Sequence, residues 1–204
     1  MSKSAAKTRD LQRTRGEILN AAFMEIFMNG FQGVSVDKII SKTGLTKGAF
    51  FHQFPSKLDL GYALVDEVLR DLIKTRWIDP LSEFDNPLDG IILQMNKLIG
   101  KASESSLKCG CPLNNLVQEM TNVDDKFAKK LSVVIDYWID GIEDALKQGI
   151  RDGLVKNSIR TREAALYIVM FHEGMYGFLK AQPDHKVFLS LFKVFKQQLD
   201  TYRV

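Results

Sequence analysis

A short stretch near the amino terminus, residues 46–57, carries side chains suited to contacts with nucleic acid. Lys47 and Lys57 are cations that can pair with phosphate, and Lys47 can also reach a guanine. Gly48 and Ala49 have almost no side chain, which allows close approach of the backbone, and Ala49 can contact a thymine methyl group. The pattern predicts a helix that enters a DNA major groove with its N-terminal residues at the base edges.

Two short helices joined by a turn must position this stretch. Ser35 and Thr46 are the expected N-caps of the two helices, because each hydroxyl can accept a hydrogen bond from a backbone N–H. Gly44 lies between them and can adopt the left-handed backbone conformation that ends a helix. The resulting helix-turn-helix spans residues 35–54.

Basic side chains are concentrated in the first 60 residues, which hold nine Lys and Arg against five Asp and Glu. The rest of the chain holds 19 basic and 20 acidic residues, so the net charge of +3 comes from the amino-terminal part. This distribution fits a polyanionic partner at one end of the molecule. A solvated basic tail is the alternative interpretation.

The fold class predicted for the chain is all-α, because apolar residues recur at a helical period and no segment shows sustained alternation. Phe50 and Phe54 lie four residues apart and should anchor the second helix of the helix-turn-helix to the core. We predict about nine helices, over residues 11–29, 36–42, 47–53, 56–78, 87–104, 112–121, 125–152, 161–181 and 184–202.

Three parts are expected along the 204 residues. Residues 1–10 form a basic flexible tail, residues 11–75 a DNA-binding head of three helices and a connecting fourth, and residues 76–204 a helical ligand-binding and dimerisation domain. We see no apolar run long enough to span a bilayer and no secretory signal. Two cysteines are too few for a disulfide framework, so a reducing cytoplasm is the expected location.

Residues from about 11 to 62 resemble the DNA-binding head of the TetR/AcrR family of one-component regulators. Residues 45–57 are similar to the recognition helix of that family and to the Phe-Pro-Ser-Lys signature that follows it. They read Leu-Thr-Lys-Gly-Ala-Phe-Phe-His-Gln-Phe-Pro-Ser-Lys. The resemblance implies a homodimer whose two heads read a palindromic operator in double-stranded DNA. It also implies repression that a small-molecule effector relieves.

The same resemblance implies which side chains contact DNA. The positions that match DNA contacts of the family are Lys47, Phe51, His52 and Lys57. Ser35 and Thr46 are expected to contact phosphate or to cap their helices. Phe51 departs from the pattern, because the family usually has tyrosine there. A tyrosine hydroxyl can bond a phosphate, so Phe51 would keep packing or stacking and lose that hydrogen bond.

An effector pocket is expected between the middle helices of the second domain. The candidates are aromatic, methionine and other mostly apolar side chains, namely Met95, Leu113, Asn115, Leu116, Tyr137, Trp138, Phe171, His172 and Met175. Such a set at helical spacing also fits an ordinary core. His172 and Glu173 stand out, because polar side chains buried in an apolar helix need partners.

The last two helices are the most apolar part of the chain, and the family resemblance implies that they pair with those of a second subunit. Gly174 and Gly177 would permit a close crossing of helices there. A buried stripe is expected along the final helix at Phe188, Leu191, Phe192, Phe195 and Leu199.

Cys109 and Cys111 form a possible thiol sensor. Cys111 should lie at the start of a short helix, where the helix dipole can lower a thiol pKa; an ordinary pair of loop thiols is the alternative. We expect no cofactor and no metal site, because two cysteines and three scattered histidines lack the spacing of tetrahedral ligands.

Three functions of different kinds remain to be compared. A ligand-responsive repressor is the leading hypothesis, with a DNA-binding architectural protein without an inducer and a thiol-based redox or electrophile sensor as alternatives. Enzymatic catalysis is not expected, because the usual catalytic motifs are missing. His172 and Glu173 are adjacent in sequence, so they are expected on different faces of their helix.

Overall fold

Helices account for nearly all of the regular structure in the computed structural model, which describes residues 3–204 and their side chains from Asp10 onward. The α-helices of this part of the chain are α1 (Lys3–Asn29), α2 (Val36–Ile40), α3 (Lys47–Gln53), α4 (Lys57–Ala63), α5 (Arg70–Ile73), α6 (Pro87–Met95), α7 (Glu104–Cys109), α8 (Pro112–Met120), α9 (Asp125–Arg151), α10 (Thr161–Ala181) and α11 (His185–Asp200).

π-Helical and 3-10 turns extend three of these helices, α4, α5 and α6. π-Helical turns at Leu64–Leu69 and Lys74–Ile78 follow α4 and α5, so residues 57–78 are helical without interruption. A 3-10 helix at Asp79–Glu83 comes next, and a π-helical turn at Asn96–Gly100 extends α6.

The predicted all-α class is confirmed, and each of the nine predicted helices has its counterpart. Helix α7 is additional: the sequence predicted one helix to about residue 104, whereas Ser103 caps a new helix by accepting a hydrogen bond from the Ser106 N–H at 3.2 Å. Among the described residues, extended pairing is limited to one bridge between Val155 and Arg203. Within the same residues, every helix is too short or too polar to cross a bilayer.

The start of α1 differs from the expected flexible tail at residues 1–10. Met1 and Ser2 lie outside the described residues, and the backbone is helical from Lys3 onward. The segment from Lys3 to Asp10 contains alanine, lysine and arginine, all good helix formers, and it lacks glycine and proline. The first helix therefore begins well before Leu11.

The described chain divides into two compact units. The head unit comprises the residues up to Leu69 together with Asn115–Leu131, and the body unit comprises Arg70–Asn114 and Ser132–Val204. The expected boundary near residue 75 placed Asn115–Leu131 in the second domain. The structure groups this segment with the head, because side chains from α8 and α9 pack and bond there.

The core of the head unit is built on α1. Ile18, Ala22 and Ile26 are buried along one face of that helix. Phe50 and Phe54 on and after α3 are also buried, with ring centroids 5.9 Å apart, which confirms their predicted role as anchors.

A segment from beyond α4 completes the head core. Phe127 of α9 packs edge-on against Phe31, with centroids 5.0 Å apart. A Cβ atom at Gly61 of α4 would lie 2.6 Å from both of these rings. Only glycine allows α4 to lie this close to the two rings, because a Cβ atom less than 3 Å from a ring carbon would force the backbone or the rings to shift.

Helices α10 and α11 form an apolar layer of the body unit. The side of α10 that carries Ala165, Ile168 and His172 is buried. Phe188, Phe195 and Leu199 of α11 are buried as predicted, whereas Leu191 is 42% exposed and Phe192 is half-buried. The predicted stripe is therefore only partly correct for a single chain.

Candidate nucleic-acid interface and buried polar cluster

The two helices of the predicted helix-turn-helix are capped as expected. The Ser35 hydroxyl accepts a hydrogen bond from the Lys38 N–H, and the Thr46 hydroxyl accepts one from the Ala49 N–H, each at 3.2 Å. Gly44 between the helices has φ +70°, in the left-handed region where residues other than glycine are strained. The turn thus has the conformation that the sequence predicted.

Helix α3 has one buried face and one exposed face. Phe50 is fully buried and packs edge-on against Phe51, which is itself 50% exposed. Lys47 and His52 are exposed on the same helix. Lys47, Phe51 and His52 therefore make up the exposed face of α3.

The amino-terminal end of α3 is open to close approach. Gly48 is exposed, and a Cβ atom placed there would meet only the Thr46 hydroxyl, at 3.7 Å. Ala49 is half-buried beside it. These small residues leave the backbone of the first turn accessible, as the sequence predicted for a helix that enters a groove.

Lysines of the head are paired with carboxylates of the same chain. The Lys47 ammonium lies 2.7 Å from Asp37, and both side chains are more than half exposed. Lys38 and Lys42 both approach Glu25, at 3.5 and 3.6 Å. Exposed ion pairs of this kind contribute at most about 1 kcal/mol, so a phosphate can replace the carboxylate.

Lys57 is the first residue of α4, and its side chain lies over the turn that follows α1. The ammonium is 4.6 Å from the centre of the Phe31 ring and 3.5 Å from the Gln32 carbonyl oxygen. Burial lowers the pKa of Lys57, and the negative charge of Glu119 opposes that shift. The ammonium therefore lies over this turn.

Glu119 is a head residue that sequence reasoning missed. Its carboxylate oxygens accept hydrogen bonds from the Phe31 and Gln32 N–H groups, each at 2.7 Å. Gly30, just before, has φ +78°, and a Cβ atom there would lie 3.2 Å from the same carboxylate. No local pattern signals this contact, because the partners are nearly ninety residues apart.

His172 lies at the centre of an aromatic cluster in the body unit. The ring centroids of Trp77, Trp138 and Tyr176 are 5.0, 4.9 and 4.8 Å from that of His172, all in edge-to-face or steeply tilted contact. Tyr176 donates a hydrogen bond to the Leu98 carbonyl at 2.8 Å. The sequence identified His172 and Trp138 as candidates and missed Trp77 and Tyr176.

Two further polar groups adjoin His172. The Glu173 carboxylate lies 2.9 Å from His172 Nδ1, so the two side chains are in contact. Adjacent side chains meet here because the long glutamate side chain can turn back toward the ring. Potential ligand atoms of Cys111, His172 and Glu173 all lie within 4.8 Å of one another.

The pKa of the Cys111 thiol is shifted in the direction opposite to the predicted one. Burial, followed by the neighbouring Glu173 carboxylate, raises the pKa of the Cys111 thiol well above its ordinary value. Backbone N–H groups of Leu113 and Asn114 act in the opposite direction, but they do not prevail. The predicted activation by a helix N-terminus is therefore overturned, because desolvation of a thiolate outweighs the helix dipole. Neither Cys111 nor the half-buried Cys109 forms a disulfide.

Comparison with known proteins shows which family the chain belongs to. A family model for bacterial regulatory proteins of the tetR family matches residues 18–64, which contain α2 and α3, and a tetracyclin repressor-like C-terminal domain matches residues 87–190. The chain belongs to the TetR family. It is therefore a DNA-binding transcriptional regulator, and its family consists of regulators rather than enzymes.

Similar proteins cover this TetR-family chain almost completely. An uncharacterised helix-turn-helix regulator in the lacX 3′ region of Lactococcus lactis is 27% identical over 94% of this chain and 95% of its own. The fold matches that of a TetR-family regulator from Cytophaga hutchinsonii with a TM-score of 0.85, at 20% identity over 96% of this chain and 97% of the other. A TetR regulator from Chloroflexus aurantiacus follows with a TM-score of 0.82, at 22% identity over 96% and 98%.

The candidate effector residues of the regulator do not form one group. Tyr137 is half-buried, with the guanidinium of Arg70 4.4 Å from its ring centre. Phe171 stacks on Phe195 of α11, with centroids 4.5 Å apart, in a separate aromatic contact. The remaining candidates share only their burial or half-burial: Met95, Leu113 and Met175 lie in the body unit, and Asn115 and Leu116 belong to the head unit.

A surface groove of the body unit has none of these candidates in its lining. It has a volume of about 320 Å³ and is lined by residues that include Ile78, Phe84, Pro87, Gly141 and Gln148. The predicted residues that the fold does bring together are Trp138, His172 and Cys111. The groove and the cluster around His172 are therefore two different candidate sites for an effector, and the predicted residues lie at the cluster.

Proposed function

We propose that this regulator is a homodimeric repressor whose α3 helices read a palindromic operator and that a small molecule bound in the body unit releases it from DNA. The observation that carries the proposal is the division of α3 between a buried anchor and an exposed contact face. Phe50 is fully buried, whereas Lys47 and Phe51 are at least half exposed.

Base contacts are assigned to the first turn and the exposed face of α3. Lys47 would exchange Asp37 for a guanine edge or a phosphate, and Gly48 would permit the backbone to approach the groove. Ala49 would meet a thymine methyl group, and His52 would reach a base or a phosphate. These contacts would provide sequence preference.

Phosphate contacts are assigned to the ends of the short helices. Ser35 and Thr46 hold the N-termini of α2 and α3, and N–H groups at such termini attract phosphate. Lys57 adds a cation that Phe31 and Gln32 already hold in place. Because these contacts involve the DNA backbone, they would fix the orientation of the head without selecting a sequence.

The dimer interface is assigned to α10 and α11. Met170 and Phe178 of α10 are 68% and 47% exposed, and Leu189, Leu191 and Val194 of α11 are exposed as well. A second copy of the layer would cover these exposed apolar side chains. Paired subunits would present two recognition helices to two operator half-sites.

Release from DNA requires that the effector bind the DNA-incompetent state more tightly than the DNA-bound state. We place the effector at the His172 cluster, because Trp77, Trp138 and Tyr176 supply apolar walls around polar groups. An effector that binds both states equally would leave operator affinity unchanged, however tight its binding.

Gel-shift titration against the DNA that flanks its own gene tests the regulator assignment. The expected result is a dimer-sized, sequence-specific complex that Lys47→Ala weakens at least about tenfold. Lys147→Ala is the matched control, because Lys147 is an exposed, ion-paired lysine of α9 in the body unit. Equal affinities for the two variants, on the flanking DNA or on genomic fragments selected by the protein, would overturn the assigned docking.

A thiol-based sensor is the second candidate function, favoured by the position of Cys111 beside His172 and Glu173. In that case an electrophile would form a bond with the Cys111 sulfur while Glu173 or His172 takes the thiol proton. Treatment with iodoacetamide should then abolish operator binding by the parent protein and spare Cys111→Ser. Loss of binding in both would assign the effect to another residue.

A further inference from the structure

We propose that Cys111, His172 and Glu173 form a binding site for a divalent transition metal ion of the zinc type. Each residue offers one ligand atom, a sulfur, a ring nitrogen and a carboxylate oxygen, and these atoms lie within 4.8 Å of one another. The site goes beyond DNA recognition and does not depend on it. The sequence predicted no metal site, because sixty residues separate the cysteine from the histidine.

Two elements of the body unit bring the donors together. Cys111 directly precedes α8, whereas His172 and Glu173 lie on α10. The Asn114 amide ties the first turn of α8 to α10 by donating a hydrogen bond to the Glu173 carbonyl at 3.0 Å. The donors are therefore held by the packing of two helices and do not depend on a flexible loop.

The charges of the cluster favour a divalent ion. With the Cys111 thiol deprotonated, the sulfur and the Glu173 carboxylate carry two negative charges, and a neutral His172 adds none. A divalent cation makes the buried group neutral overall, whereas a monovalent cation would leave one buried negative charge. Binding replaces the thiol proton with a metal–sulfur bond, so one proton passes to the buffer and no oxidation state changes.

The donor atoms also select the metal. Calcium and magnesium prefer sets of oxygen ligands, whereas mixed sulfur, nitrogen and oxygen donors suit zinc and its neighbours in the first transition row. Zinc bonds of about 2.0–2.3 Å at tetrahedral angles place donors roughly 3.3–3.7 Å apart. The 2.9 Å contact between His172 and Glu173 needs to widen slightly, and the longer separations need to close by about 1 Å.

The surroundings provide what a bound ion requires. Backbone N–H groups of Leu113 and Asn114 oppose the rise in the pKa of the Cys111 thiol, so they act in the direction that metal binding requires. Trp77 and Trp138 pack on His172 and restrict access of bulk water. Among the described residues, Trp138 Nε1 is buried without a hydrogen-bond partner, and its ring packs against that of His172, so this side of the cluster has an unused polar donor.

Metal titration of the reduced full-length protein tests the site directly. After dialysis against a chelator, Co²⁺ should bind with one ion per chain and produce a thiolate-to-cobalt absorption band in the near ultraviolet. Zn²⁺ should displace it and release one proton per chain. Cys111→Ser should abolish the band, and His172→Gln and Glu173→Gln should each weaken binding at least about tenfold.

Cys109→Ser is the matched control, because it removes the other cysteine, two residues away, outside the three-residue cluster. Far-ultraviolet circular dichroism checks that each variant is folded. If Cys111→Ser does not fold, the cobalt titrations of His172→Gln and Glu173→Gln test the site in its place. A cobalt band that persists in Cys111→Ser or disappears in Cys109→Ser would overturn the proposal, as would the absence of stoichiometric binding by the parent protein. Operator binding is not part of the readout, so failure here leaves the regulator assignment intact.

Discussion

The Glu119 carboxylate accepts a hydrogen bond of 2.7 Å from the backbone N–H of Phe31, 88 residues earlier in the chain. A second bond of the same length comes from Gln32. Charged acceptors shared by two backbone donors are among the stronger hydrogen bonds in proteins. This contact makes the end of α8 part of the head unit, and it fixes the turn on which Lys57 rests.

Glu119→Gln should lower the free energy of unfolding by about 1–3 kcal/mol, because the amide can accept only one of the two N–H bonds and turns a donor toward the other. Urea denaturation measures the change. Glu104→Gln is the matched control, since Glu104 lies on the surface in an exposed pair with Lys108. A loss no greater than that of the control would show that the contact contributes little.

Lys57→Ala should weaken specific and non-specific DNA binding alike. The plot of log affinity against log salt concentration should become shallower by about 0.9 for each phosphate contact removed. Gel shifts at several salt concentrations with operator and random DNA give both quantities. Lys147→Ala should leave the slope unchanged, and an unaltered slope in Lys57→Ala would show that this ammonium stays on Phe31 and Gln32 in the complex.

Phe51→Tyr should tighten operator binding about threefold to tenfold, the equivalent of one new hydrogen bond to phosphate. The ring is half exposed, so the added hydroxyl can remain in water in the unbound protein and stability should not change. Fluorescence anisotropy with a labelled operator provides the comparison. Phe51→Ala should bind more weakly than the parent, and a tyrosine variant that also binds more weakly would place the ring away from the DNA backbone.

Gly174→Ala should affect the stability of a single chain and the affinity of the dimer in opposite directions. A Cβ atom at Gly174 meets nothing within 4 Å in one chain, so α10 should gain up to about 1 kcal/mol of helix propensity. If two α10 helices cross closely there, the same methyl group should weaken the dimer, and Gly174→Leu should weaken it further. Sedimentation equilibrium measures the dimer dissociation constant.

Gly16→Ala is the matched control for that experiment, since Gly16 is also helical and a Cβ atom there also meets nothing within 4 Å. It lies on α1 of the head unit and should leave the dimer unaffected. Equal dissociation constants for Gly174→Leu and the parent protein would place the crossing elsewhere.

Local patterns were sufficient for most of the head. Ser35, Thr46 and Gly44 were predictable because capping and left-handed turns depend on a few neighbouring residues. The spacing of Phe50 and Phe54 similarly revealed the buried side of α3.

Long-range contacts were beyond the reach of such patterns. The bond from Phe31 to Glu119 and the approach of Cys111 to His172 depend on how distant helices pack, which residue spacing does not encode. The pKa of Cys111 was predicted in the wrong direction for the same reason: its helix position was visible in the sequence, whereas its burial was not.

The carboxylates that pair with the head lysines affect how many salt ions are exchanged when DNA binds. Asp37 and Glu25 act as built-in counterions for Lys47, Lys38 and Lys42. If a phosphate took the place of one of these carboxylates, fewer salt ions would leave the protein, and the released carboxylate would remain near the duplex and repel phosphates. A poorly matched DNA sequence would meet this repulsion without the base contacts that offset it, so the pairs would weaken non-specific binding more than specific binding.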